Sequence, residues 1–383
     1  MTQQIKVLFV LPSLTIGGAE RQVVDLVNEL SKDRFNVHLL TFEKELNLLE
    51  RLNKEKIQIY HVPRRYKFDF EPIRKITQII EDENIDILHG TNQMALLFGF
   101  LAKLKAKKKV KFVLAIHTTI NRSLKNEILD WFLYAPLMML TDRIIAVGAN
   151  QRKHWSRKYP LLSSKFVTIH NGIDMKRFED RLSPQEKSEI RKSLGIGEDE
   201  FTTGIVAEFR IEKGHEYAFK ALKTILNSGN KCKLLLIGSG ARQNYLHSLS
   251  KQLSISKSII WLGYQKDPRP FMSICDTLLL PSFAESFSLS ILEGLSMGKP
   301  VIAFDVSGNS EMIRDGKNGY LVKAKDSRTL AEKLQHLIDN RDLLKRFSRY
   351  ARESVINKFP VSEMVKKTES LFESMISPRE QNS

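Results

Sequence analysis

Cysteine is scarce: the 383 residues hold two, Cys232 and Cys275. They are far apart, sit in apolar runs and have no CxxC or Cys/His spacing. That excludes a disulfide framework and a cysteine zinc site and reads as buried, reduced thiols, in keeping with the cytoplasm. Long apolar runs are missing as well. Met94–Ala102 and Phe132–Leu140 come nearest, at about half the roughly 18 residues that a bilayer-crossing helix needs. Met1–Leu14 has one lysine and a short apolar run but no small-residue cleavage site, so it predicts a first β-strand rather than a leader. Fixed-period repeats and low-complexity tracts are absent. Acidic residues are outnumbered, 44 against 60 Lys and Arg, for a net charge of +16. The excess predicts attraction to an anionic partner without choosing among lipid, nucleic acid and acidic substrate. With 42% hydrophobic and 27% charged residues, what remains is an ordinary globular chain with room for two domains.

What is present is alternation. Val7–Leu11, Val37–Thr41, Ile57–His61, Ile85–His89, Phe112–His117 and Arg143–Val147 read as strands. Helical patterns lie between them, as at Ala19–Leu30, where Val23, Leu26, Val27 and Leu30 share a face. The Asn171-Gly172 turn and the charged stretch to about Gly197 mark a boundary. Strands resume at Phe201–Val206, Lys233–Ile237, Ile259–Leu262, Thr277–Leu280 and Val301–Phe304, and the chain after Ser327 is helical. Strands alternating with helices imply parallel sheets covered on both faces, with ligands beyond the carboxyl ends of the strands.

One such end is Pro281-Ser282-Phe283-Ala284-Glu285-Ser286-Phe287-Ser288-Leu289, leading through Glu293 to Gly298 and a further strand near Ala303. A helix is expected to begin near Ser286–Ser288 and stop at Gly298. Its first N–H groups lack intrahelical partners and, with the helix dipole, make a site for a diphosphate. Glu285 beside that site suits sugar hydroxyls, and Glu293, about two turns on, suits a ribose diol. Taken singly, Glu285 reads as an N-cap carboxylate and Glu293 as a solvated helix-face charge.

This segment closely resembles the two-glutamate signature, E-x7-E, of the family-four (group 1) retaining glycosyltransferases, and the resemblance spans nearly the whole chain. It implies a GT-B fold of two Rossmann-like domains with parallel sheets facing a central cleft. In that family the first glutamate holds the transferred sugar and the second the ribose, which assigns those roles to Glu285 and Glu293. Ser286, Phe287, Ser288 and Leu289 then line the donor diphosphate.

The other motifs follow from the same resemblance. The family has an Arg/Lys pair after the first strand of the second domain. Lys213 matches the lysine, Glu208 occupies the usual arginine position, and Arg210 is read as the displaced arginine. Each alone is ordinary surface charge. Gly17 and Gly18 resemble the N-terminal glycine loop that meets donor phosphate and acceptor, and also suit a tight strand-to-helix turn. His117, at a strand end, resembles the family's donor-contacting histidine; His89 closes the preceding strand and is a further candidate. Gly263 and Tyr264 fall where the family meets the nucleobase. Gly238-Ser239-Gly240 lacks a third glycine and is a poor dinucleotide fingerprint. No Asp-x-Asp occurs, which agrees with metal-independent departure of the diphosphate.

Basic residues crowd the first half: Lys103 to Lys111; Arg64, Arg65 and Lys67 with Tyr66 and Phe68; and Arg152, Lys153, Arg157 and Lys158 about Trp155. Solvated faces are one reading; reversible contact with an anionic membrane is the other. Leu129–Leu140, apolar almost all round, reads as a buried core helix, with a lipid-acceptor entrance as the rival.

The expectation is therefore an acceptor-binding domain at 1–172, a nucleotide-sugar-binding domain at 173–360, and a helix at 361–378 crossing back to the first. Domain closure would place His117 and the glycine loop over the donor. The enzyme would be a retaining, metal-independent hexosyl- or N-acetylhexosaminyltransferase without a cofactor. Its donor would be a nucleotide sugar, UDP favoured over GDP, and its acceptor a lipid-linked envelope glycan or glycolipid. It would be cytoplasmic, peripheral at the inner face of the cell membrane, and would bind no nucleic acid. The alternatives are a GT-B nucleotide-sugar epimerase and a non-catalytic sugar-nucleotide-binding subunit.

Overall fold

A computed structural model describes residues 4–66, 69–118 and 128–376. The chain divides into two compact units, Met1–Gly172 with Val361–Ser383, and Ile173–Pro360.

The first unit is built on seven strands: β1 Ile5–Val10, β2 Phe35–Thr41, β3 Ile57–His61, β4 Ile87–Thr91, β5 Lys111–Ile116, β6 Arg143–Ala146 and β7 Phe166–Thr168. All pair in parallel in the order β3-β2-β1-β4-β5-β6-β7. Val7, Leu8, Phe9 and Val10 are fully buried, so β1 lacks the alternation of a half-exposed strand. Helices cover both of its faces, as parallel sheets require. On one face the Gly18–Glu29 helix buries Val23, Leu26 and Val27. The Val361–Met375 helix joins the same layer. Its Phe372 is fully buried against Phe9, Phe35 and His89, and Glu369 accepts from the Ser31 N–H at 2.9 Å.

The second unit repeats the scheme with β8 Phe201–Val206, β9 Cys232–Ile237, β10 Ile259–Gly263, β11 Thr277–Leu280, β12 Val301–Phe304 and β13 Gly319–Val322. These are parallel in the order β10-β9-β8-β11-β12-β13. Strand order reverses between β1 and β4 in one sheet and between β8 and β11 in the other. At such switch points the loops leaving adjacent strands part and leave a crevice.

Two strands had no reading in the sequence. β7 is only three residues long, and β13 follows a Gly-Lys-Asn-Gly turn that masks its short apolar run. The Leu129–Leu140 expectation of a buried helix is corrected. The segment forms a π-turn, Asp130–Tyr134, and then a short helix, Ala135–Met139, and exposes Trp131, Phe132, Met139 and Leu140. Cys232 and Cys275 are free, buried thiols, each pushed up to about 12 by burial. Among the described residues no helix is long and apolar enough to cross a membrane.

Candidate active site

The crevice of the second unit is made by the loops leaving β8 and β11. Leaving β8, Phe209 is buried and turns inward, so its neighbours Glu208 and Arg210 both project outward and pair. Arg210 Nη1 also lies 4.0 Å from Glu212 Oε1. A short 3-10 turn, Ile211–Lys213, ends at Gly214, whose φ is +64°. A Cβ on Gly214 would sit 2.0 Å from the Pro281 carbonyl oxygen. Only glycine meets both demands, and the close approach lays the Lys213 turn against the end of β11. The Phe283 N–H donates to the Glu212 carbonyl at 3.0 Å and fastens the two loops together. Lys213 Nζ then reaches Glu285 Oε1 at 2.7 Å, with both side chains partly accessible.

The helix after this loop spans Leu289–Ser296, beginning one residue beyond the expected start. Ser288, not Glu285, is its N-cap, and the Ser288 side chain makes no capping bond. Glu293 is 1% exposed, which removes the reading of a solvated charge. Ser290 Oγ donates to the Val206 carbonyl at 2.8 Å and ties the first helical turn to the end of β8. From the far side, a Cβ on Gly308 would stand 2.1 Å from the Ser286 carbonyl oxygen, so the loop after β12 supports the 286–287 backbone at contact distance. Gly263 has φ +66°, its carbonyl accepts from the Gly238 N–H at 2.8 Å, and Tyr264 beside it is exposed.

In the first unit, Gly17 is the N-cap of the Gly18–Glu29 helix, at φ −82°. That conformation is open to any residue. A Cβ would come within 2.0 Å of the Glu20 carboxylate, the far end of a flexible side chain that can swing aside, so space does not demand glycine here either. His117 follows β5, and its N–H donates to Asn92 Oδ1 at 2.9 Å. The surrounding protein lowers its imidazole to about 4, so the ring is neutral near pH 7. His89 is in the core, its ring tilted against Phe9 with centroids 4.7 Å apart, and burial lowers it to about 3. At 1% exposure it is a structural histidine of the first unit's core, not a donor contact.

Two family models match the chain, Glycosyltransferase Family 4 over residues 16–177 and Glycosyl transferases group 1 over residues 186–354. The chain belongs to the family 4, group 1 glycosyltransferases.

As a glycosyltransferase it has relatives along almost its full length. It is 26% identical over 370 residues to an N-acetyl-alpha-D-glucosaminyl L-malate synthase of Bacillus anthracis, covering 94% of each chain. It is 22% identical over 386 residues to a UDP-Gal:alpha-D-GlcNAc-diphosphoundecaprenol alpha-1,3-galactosyltransferase of Escherichia coli, covering 97% of this chain and 98% of the relative. The structure of Anabaena Alr3699/HepE in complex with UDP-glucose superposes with a TM-score of 0.81 at 20% identity, covering 97% of this chain and all of that one. Such neighbours share the GT-B fold.

Within this glycosyltransferase, the second unit therefore brings Lys213, Glu285, Ser286 and Ser288 together at the start of one helix, with Glu293 inside it. Arg210 is on the same loop as Lys213 but is held by Glu208. The residues that sequence reasoning missed are those that shape the crevice: Gly214, Ser290 and Gly308. The glycines were visible as turn formers, but the carbonyls they admit are remote in sequence. Gln22 was missed for the same reason; its side-chain amide donates to the Gly172 carbonyl at 2.9 Å and accepts from the Gly172 N–H at 2.8 Å.

The basic clusters are less uniform than their sequence implies. Arg64 pairs with Glu43 and lies over the Phe42 ring at 5.6 Å. Lys158 lies 3.8 Å from Asp130 and 5.2 Å from the centre of the buried Trp155 ring. Lys67, Phe68 and residues 377–378 lie outside the described residues.

Proposed function

We propose that this glycosyltransferase retains anomeric configuration, needs no metal, and moves a hexosyl or N-acetylhexosaminyl group from a UDP-sugar to a lipid-linked envelope glycan or glycolipid. The observation that carries the reading is the Lys213–Glu285 pair, 2.7 Å apart, beside the start of the Leu289–Ser296 helix. The helix N–H groups and Lys213 form a preorganised anion site for a departing diphosphate. Glu285 accepts from hydroxyls of the transferred sugar, and Glu293 serves the ribose. The bond from anomeric carbon to diphosphate oxygen breaks through an oxocarbenium-like state. The acceptor oxygen bonds to the carbon on the same face, and its proton passes to the departing phosphate oxygen. His117, Gly17 and Gly18 of the first unit complete the donor contacts, and Gly263 and Tyr264 receive the base.

The UDP-glucose bound to HepE and the UDP-galactose and diphosphoundecaprenol in the name of the E. coli relative support a UDP-sugar and a lipid-linked acceptor. Exposed cations of the first unit, Lys105, Lys107, Lys109, Arg152, Lys153 and Arg157, support association with an anionic membrane face. The test is the anomeric configuration of the product beside Glu285→Ala. Retention with transfer abolished in a folded variant is expected; inversion, or undiminished activity, overturns the assignment. Glu208, which engages Arg210, favours a second reading as a non-catalytic subunit. Binding of UDP-sugars without turnover over a broad acceptor panel is its signature.

A further inference from the structure

The flank of the first unit formed by residues 128–165 rests on that membrane reading and deepens it. Asp130 is buried, accepts from Gln93 Nε2 at 2.7 Å and lies 3.8 Å from Lys158 Nζ. With Asp130 anchored inward, the next two side chains turn out, and Trp131 is 50% and Phe132 82% exposed. Ala135, Leu137 and Met138 face the core, and Met139 and Leu140 turn out again.

Contacts join these residues to a neighbouring turn. The Trp131 ring meets Tyr159 edge-on at 5.0 Å, and two residues later Leu161 is 83% exposed. Lys165 Nζ donates to the Met139 and Thr141 carbonyls and closes this turn onto the Ala135–Met139 helix. Lys103 pairs with Asp142 at 3.0 Å, and Leu104, next to it in the chain, is exposed. Large apolar side chains so gathered mark an interaction surface.

Charge selects the partner. Residues 128–165 contain two acidic side chains, Asp130 and Asp142, and each is engaged with a lysine. Arg152, Lys153 and Arg157 are exposed on the same flank. A second copy would set cations against cations; an anionic lipid surface would neutralise them. We propose that this flank is a bilayer-docking surface on which Trp131, Phe132 and Leu161 enter the boundary between headgroups and acyl chains while the arginines and lysines meet lipid phosphates.

The protein has three tryptophans; Trp155 is buried and Trp261 stacks on His247 at 3.8 Å, so Trp131 is the fluorescent probe of this flank. The test is flotation with phosphatidylcholine vesicles, with and without phosphatidylglycerol, plus quenching by brominated acyl chains. With phosphatidylglycerol present, the emission is expected to shift to the blue and to be quenched, and both effects are lost in Trp131→Phe. Vesicle affinity of a Phe132→Ser, Leu161→Ser double variant is expected to fall about tenfold or more, because each side chain gives up its apolar burial. Its circular dichroism and UDP binding stay unchanged. Vesicle binding that ignores both substitutions and leaves Trp131 emission unmoved overturns the docking surface while sparing the membrane reading. Failure of the wild type to float with any vesicle overturns both. A mass that doubles with concentration, and reverts to monomer in the double variant, assigns the flank to a second copy instead.

Discussion

Lys213 and Glu285 neutralise one another; on the proposed reading a bound donor would part them, its diphosphate drawing the lysine and its sugar hydroxyls donating to the carboxylate. In that role the lysine would act on charge that develops as the bond breaks. Lys213→Met is expected to lower kcat by about 10²–10³, as loss of one preorganised charge donor does elsewhere. Arg210 starts from a weaker position, because Glu208 and Glu212 compete for its guanidinium. Arg210→Met should therefore cost less than Lys213→Met. Glu208→Gln should tighten UDP binding by releasing Arg210, which calorimetric titration of the three variants with UDP checks. Equal losses for the two cations would show that Glu208 does not restrain the arginine.

The loops and the short helix hold these side chains by backbone contact rather than by side-chain packing. Gly214 both adopts φ +64° and admits the Pro281 carbonyl, so Gly214→Ala meets two penalties together. A residue forced into such backbone costs about 1–3 kcal/mol before the steric clash is added. The expected outcome is a lower denaturation midpoint for the second unit and loss of transfer, with the first unit unaffected; urea melts followed by probes in each unit read this. Gly18–Glu29 was legible from its helical apolar period, and most strands from short apolar runs between turns and helices. β7 and β13 were not: β7 is three residues long and runs on toward the Asn171-Gly172 turn, and β13 opens on the glycine of a turn, so neither stands out as an apolar run as β11 and β12 do. Leu129–Leu140 misled for a different reason: it is apolar on its inward and its outward side, and composition cannot say which side is covered.

The whole molecule carries neutral histidines in both units. His89 and His215 are each held near 3, chiefly by burial, against about 6.5 in an unfolded chain. Between pH 6.5 and 3 the unfolded chain binds more protons than the folded one. The stability tied to neutral burial is thus fully present above pH 6.5 and is lost as pH falls, by about 1.4 kcal/mol per pH unit for each histidine. Thermal melts from pH 7.5 to 5 should show both units weakening, and His215→Leu should flatten the dependence of the second unit alone.

Alternating apolar runs, spaced by helix-period segments and turns, determined two parallel sheets, and the eight-residue interval between Glu285 and Glu293 set one carboxylate in the loop before a helix and the other within it. Those features depend on neighbours within a few residues, where period and turn chemistry operate. Only the tertiary structure decided that Lys213 meets Glu285, that Glu293 is buried, that Glu208 holds Arg210 and that Phe132 faces outward. Lys213 and Glu285 are 72 residues apart, and their meeting follows from β8 and β11 lying side by side at a sheet reversal. Strand order and helix orientation are settled by the packing of whole layers, for which no local pattern in the chain is a substitute.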